Sequence, residues 1–200
     1  AAPPPSAQPD PAAPPRCRVF YCRPAPRPLG SSAGGTIERG ATRDLLALNT
    51  HLAAVDWGRT MLIDYSGAAG QQLKGAVILA PGYRQGQRYP VITSVYPRYP
   101  VQGLNDPFLD RYMPGIYNLQ LYAARGYVVL IPSVPLAGGN FKDATSELGK
   151  GVLPAIDRLV AMGIADPDRV GAMGQSGGGY TVYSLITQSN SIRAAVPRAG

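Results

Sequence analysis

From residue 61 onward the chain alternates short apolar runs with stretches of helical spacing. Residues 61–65 alternate well enough for a strand, residues 67–70 turn, and residues 76–79 predict a second strand before the turn signal Pro81-Gly82. The β-branched run 91–96, bounded by Pro90 and Pro97, predicts a buried strand. Residues 97–113, rich in Pro and Gly, predict a long surface loop. Residues 116–125 place apolar side chains at 116, 119, 121 and 122 and stop at Gly126, which predicts a helix with a glycine just past its end. Residues 128–131 predict a central strand, and 132–140 a loop.

A second helix is predicted over 147–162, with apolar positions 148, 152, 156 and 159; Pro154 either kinks it or marks a new start. Asp166-Pro167-Asp168-Arg169 predicts a loop, its acids held in an Asx-turn or paired with Arg169. The apolar run that follows predicts a strand. Then comes a helix with Val182, Leu185 and Ile186 on one face, and a last strand at 194–196. Strand and helix in such alternation imply an α/β domain: a mainly parallel sheet covered by helices.

The first sixty residues differ in kind. Residues 1–30 hold ten of the 21 prolines, with Ala and Arg, and predict extended, solvated polypeptide with too few apolar side chains to pack. We read residues 1–42 as a Pro/Ala/Arg-rich disordered head, 43–60 as a linker or the remnant of a preceding module, and 61–200 as the α/β domain. Leu45, Leu46, Leu48, Leu52, Val55 and Trp57 fit a short helix or part of a neighbouring module. Cys17 and Cys22 are the only cysteines; without further Cys or His partners they make a poor zinc site, and a small disulfide loop or two free thiols both fit.

Composition adds exclusions. No run of eighteen apolar residues exists, so no membrane span is expected. The net charge of +7 is concentrated in the head, where residues 1–43 hold six Arg against Asp10 and Glu38. The rest is nearly balanced, without a basic helix or interleaved aromatics, which argues against nucleic-acid binding. No metal or cofactor is called for.

The chemistry lies in Gly174-Gln175-Ser176-Gly177-Gly178, set between an apolar run and a helical segment. This is the G-x-S-x-G nucleophile elbow in the context it requires: strand, sharp turn, helix. Ser176 must sit on a strained turn so that its hydroxyl projects from the sheet top. Gly174 and Gly178 flank it because side chains there would collide with the packed strand and helix. The N–H of Gly177, at the helix start, points to where a substrate oxyanion would form. An elbow on such a sheet is the α/β-hydrolase arrangement, in which the acid and then the histidine follow the serine. The stretch after Ser176 contains no Asp, Glu or His, and the only histidine, His51, lies far upstream in a Leu/Ala setting that suits a structural role. The expectation is an α/β-hydrolase fold truncated after the strand that follows the nucleophile helix.

Several separated blocks then converge. Leu73-Lys74-Gly75, Tyr89-Pro90-Val91-Ile92, Val95-Tyr96-Pro97, Ala124-Arg125-Gly126-Tyr127-Val128-Val129, Gly163-Ile164-Ala165-Asp166-Pro167-Asp168-Arg169-Val170, the elbow through Tyr180, and Ala194-Ala195-Val196 stand in order. From about residue 43, the chain resembles the catalytic domain of prolyl oligopeptidase family serine peptidases, nearest the dipeptidyl-peptidase and acylaminoacyl-peptidase branch. The resemblance implies a peptide substrate, Ser176 as nucleophile, and an oxyanion hole of the Gly177 N–H and the Tyr96 hydroxyl. It also implies a preceding β-propeller, of which residues 43–60 resemble at most the final strand.

The leading expectation is therefore a fragment of a peptidase that cleaves short peptides through an acyl-enzyme on Ser176. An esterase or lipase-like hydrolase is the alternative within enzymes, and a non-catalytic hydrolase-fold protein the alternative outside them. In a hydrolase sheet the strand at 194–196 is internal, so the 200-residue chain alone should be poorly soluble or partly molten. A monodisperse sample with one cooperative unfolding transition would count against that expectation.

Overall fold

The computed structural model describes residues 18–23, 31–36, 42–47, 56–104, 117–136 and 144–200. The chain divides into two compact units, Ala1–Val55 and Asp56–Gly200. In the first, strands β1 (Arg18–Arg23), β2 (Ser31–Thr36) and β3 (Thr42–Ala47) pair antiparallel in that order, with a register shift at Ser32/Ala33. These strands run through the stretch read from sequence as head and linker. Val19, Phe20 and Tyr21 supply the strand propensity of β1. Leu45 and Leu46, considered for a helix, lie in β3 instead; Leu48, Leu52 and Val55 fall outside the described residues.

The second unit is an α/β sandwich. Its strands are β4 (Thr60–Ser66), β5 (Gln72–Ile78), β6 (Tyr89–Ser94), β7 (Val128–Pro132), β8 (Ala165–Gln175) and β9 (Ala194–Arg198). They form one sheet in the order β4-β5-β7-β6-β8-β9. The β4–β5 and β5–β7 pairs are antiparallel and the other three parallel, so the sheet is parallel where the elbow lies.

Strand β7 is buried along its whole length, as a central strand between two covered faces must be. Val128 and Leu130 point into one core with Leu148, Val152, Ile156, Leu159, Val182 and Leu185. Val129 and Ile131 point into the other, with Ala76, Ile78, Leu119 and Ala123. Helices α2 (Ala144–Ala161) and α3 (Gly177–Gln188) cover the first face. The expected apolar stripe of α2 is thus its buried stripe. On α3, Val182 and Leu185 are buried, whereas Ile186, expected beside them, is exposed together with Tyr183. The edge strand β9 exposes Val196.

Three departures from the sequence reading have local causes. Helix α1 is a single turn, Gln120–Ala123, rather than the ten residues expected. Its Gln120 turns inward, accepting from the Gly58 N–H (2.9 Å) and donating to the Gly58 carbonyl (3.2 Å), which satisfies a buried amide. Helix α2 runs unbroken through Pro154. A proline leaves the carbonyl four residues earlier without its helical donor; here that carbonyl, Lys150, accepts the Ala68 N–H from the β4–β5 turn at 2.8 Å. Asp166–Arg169, expected as a loop, is counted within β8 but bulges out of register, since Tyr89 pairs with Ala165 and Val91 already with Val170.

Tyr65 on β4 is buried, and its hydroxyl donates to the Ser133 carbonyl at 3.2 Å. Burial pushes its pKa well above the ordinary tyrosine value of 10.0. The folded chain therefore holds this proton more tightly than the unfolded chain does. The associated stability is full below pH 10 and is lost as pH rises from there through the raised value. Tyr65→Phe should lower stability at pH 8 by about 1 kcal/mol through the lost hydrogen bond. It should also flatten the fall in stability above pH 10, as urea unfolding at pH 8 and pH 11 would measure.

Candidate active site

Ser176 stands between the last residue of β8 and the first of α3, with φ 54° and ψ −124°. Few side chains tolerate that backbone, and holding a serine there costs about 1–3 kcal/mol. The strain is held from both sides: the Ser176 N–H donates to the Arg198 carbonyl (2.8 Å) and its carbonyl accepts the Tyr180 N–H (3.1 Å). The side chain is exposed at the parallel strands' carboxyl ends.

Close packing around the turn explains the glycines. A Cβ on Gly174 would run into the Gly178 carbonyl, and one on Gly178 into the Val95 carbonyl. These neighbours are backbone and cannot swing away. At Gly177 the Pro97 ring would stand only 2.7 Å from an added Cβ. Helix α3 is thereby seated against Val95-Tyr96-Pro97 at the end of β6.

This contact sets the ring of Tyr96 beside the first turn of α3, which Gly177 opens. Gly177 opens α3, so its N–H belongs to the first turn, where no intrahelical acceptor exists. Tyr96 lies two residues beyond β6, with an exposed ring whose Cδ2 passes 3.6 Å from the place of a Gly178 Cβ. Ser176 and Tyr96 line one cleft of about 1070 Å³. Its upper end carries these groups together with Gln175 and Tyr117. The remainder follows the sheet face over β6, β8 and β9, down to Asp168 and Arg193. The Ser176 end holds the candidate groups; an apolar sheet face separates it from the charged end at Asp168 and Arg193.

Other candidates fall elsewhere. Asp166 and Asp168 sit at the opposite end of β8 from Ser176. Asp166 accepts from Arg169 Nε (2.6 Å) and from the Asp168 N–H (3.0 Å), so both expected pairings occur. The Arg169 hydrogen bond, then the backbone one, holds its carboxyl below the usual range. Asp168 is bound by Arg193 at 2.9 Å. His51, Cys17 and the side chain of Cys22 lie outside the described residues. No cluster of three or more His, Cys, Asp or Glu suited to a metal occurs among the described residues, nor does a helix long and apolar enough to cross a membrane. The sequence reading did not single out Gln175 or Tyr117, whose side chains meet here; Gln175 stood within the motif, but Tyr117 had no local signal.

Two substitutions separate strain from packing. Ser176→Gly should stabilise the chain by about 1 kcal/mol, relieving the backbone strain less the added chain entropy. Gly178→Ala should destabilise it by more than about 2 kcal/mol, because the Val95 carbonyl has nowhere to go. Urea unfolding of both variants beside the parent chain would test the pair.

Comparison with known proteins agrees with this architecture. A sequence model of the prolyl oligopeptidase family matches residues 115–200. The chain is 31% identical over 117 residues to dipeptidyl-peptidase 5 of Porphyromonas gingivalis, a match covering 54% of this chain and 16% of that protein. Among solved structures, the acylaminoacyl peptidase of Pyrococcus horikoshii superposes with a TM-score of 0.63 at 22% identity, over 92% of this chain and 29% of that one. The AtxE2 isopeptidase superposes with a TM-score of 0.65 at 19% identity, over 89% and 29%. Dipeptidyl peptidase 4 of Porphyromonas gingivalis gives 0.61 at 18%, over 83% and 25%. The chain thus spans less than a third of the length of each of these relatives. Residues 115–200 thus match the prolyl oligopeptidase family model, and the second unit has the α/β-hydrolase fold of these solved peptidases.

Proposed function

We propose that this chain carries the nucleophile and the oxyanion groups of a serine peptidase acting on short peptides. The observation that carries the reading is the backbone of Ser176. A serine is held at φ 54° between a strand and a helix, where glycine would be more stable, at the mouth of a cleft. Such strain persists where the position of the hydroxyl matters more than its cost.

In this mechanism Ser176 Oγ attacks the scissile carbonyl while a base takes its proton. The carbonyl oxygen becomes an oxyanion and accepts from the Gly177 N–H and the Tyr96 hydroxyl. Collapse expels the amine, which receives the proton from the protonated base, and leaves an acyl group on Ser176. Water activated by the same base then releases the acid and restores the serine. In this reading Ser176 is the nucleophile, and Gly177 and Tyr96 supply the oxyanion groups.

A fluorophosphonate probe applied to the full natural polypeptide should label Ser176, and Ser176→Ala should abolish both labelling and cleavage of a peptide amide. Tyr96→Phe should lower kcat by about 10²-fold, the effect of losing one oxyanion donor, with little change in KM. Turnover of a simple ester without any turnover of peptide amides would replace the peptidase reading by the esterase one. No labelling at all would favour a non-catalytic protein.

A further inference from the structure

The main chain at Ser176 is tied by β9 through Arg198 and by α3 through Tyr180. A further tie comes from side chains. Tyr117, three residues before α1, donates from its hydroxyl to Gln175 Oε1 at 2.6 Å. Gln175 is the last residue of β8 and bonded directly to Ser176. Along β8, Ala172 faces the core under α2 and α3, whereas Met173 packs into the core on the other face, with α1. Strand alternation puts Gln175 on the same face as Met173, and its side chain lines the cleft with Tyr96, Tyr117 and Ser176.

Such a bond adds little to global stability, since the Tyr117 ring is 38% exposed and water competes for both partners. Its local effect is larger. The conformation of Gln175 sets the plane of the peptide entering Ser176, so a swing of Gln175 moves the Cα from which Oγ projects. Nucleophilic attack tolerates little such movement, because reacting atoms must meet at near-contact distance and in line.

We propose that Tyr117 and Gln175 are positioning residues for Ser176: their hydrogen bond fixes the strand end from which the nucleophile turns. This rests on the serine-peptidase reading above. The elbow is then steadied by a residue from a distant part of the chain, on the side of the sheet opposite α3.

The test uses the full natural polypeptide with Tyr117→Phe, Gln175→Met and the double variant. Three readouts are taken: the rate of fluorophosphonate reaction at Ser176, kcat and KM on a peptide amide, and the thermal midpoint. Each single variant should slow phosphonylation and lower kcat about five- to tenfold, the worth of one hydrogen bond, with KM little changed. The midpoint should move by less than about 2 °C. The double variant should be no slower than the slower single variant, because both remove one interaction. Additive losses, unchanged rates, or slowing that follows a fall in midpoint would overturn the proposal while leaving Ser176 as nucleophile. If the parent protein takes no label, or Ser176→Ala still does, the serine-peptidase reading itself fails and this inference falls with it.

Discussion

The second unit is organised around a contact between two pieces of main chain. The first turn of α3 approaches the end of β6 so closely that no side chain fits between Gly178 and the Val95 carbonyl. That approach goes with a sharp reversal at Ser176, which puts a non-glycine residue at positive φ, as Arg98 and Ala199 are on the two neighbouring segments. It also decides the path of Val95-Tyr96-Pro97, and so where Tyr96 stands. Ser176, the start of α3 and the Tyr96 ring are neighbours because one backbone seats against another. Dispersion and the cores on either side of β7 supply the energy that holds this seat closed.

Much of this was legible in the residues because each signal was local. The elbow needs glycine at fixed offsets, and the sequence has them; strands β4, β6 and β7 show in β-branched or alternating runs. The buried stripe of α2 follows from its 3.6 period alone. What was not legible depended on partners distant in sequence. Residues 116–125 carry a helical pattern, but Gln120 is drawn inward by Gly58, and one turn remains. Ile186 shares the spacing of Val182 and Leu185, yet spacing cannot say where the covering layer ends. In the first unit, proline content outweighed the Val-Phe-Tyr run of β1. Composition describes a segment's average, whereas a strand needs only six suitable residues.

The site divides in the same way. The strand–turn–helix at Ser176 and Gly177 follows from the motif; Tyr96 was named from a resemblance carried by Val95-Tyr96-Pro97, and it lines the same cleft as Ser176. The meeting of Tyr117 with Gln175 could not, because no periodicity links a residue before α1 to the end of β8. Pairings of this kind arise from the order of strands in the sheet, which places β7 and β8 on either side of β6.

Pro154 shows how a local defect becomes a long-range link. Within α2 the proline removes a donor, and the orphaned Lys150 carbonyl is answered by Ala68 in the turn between β4 and β5. A bond that would have closed within one helical turn now spans two layers of the fold. The helix can no longer satisfy its own backbone in isolation, so α2 completes itself only when docked on the hairpin. Helix and hairpin are therefore joined into one cooperative block: loosening the hairpin turn would loosen the middle of the helix too.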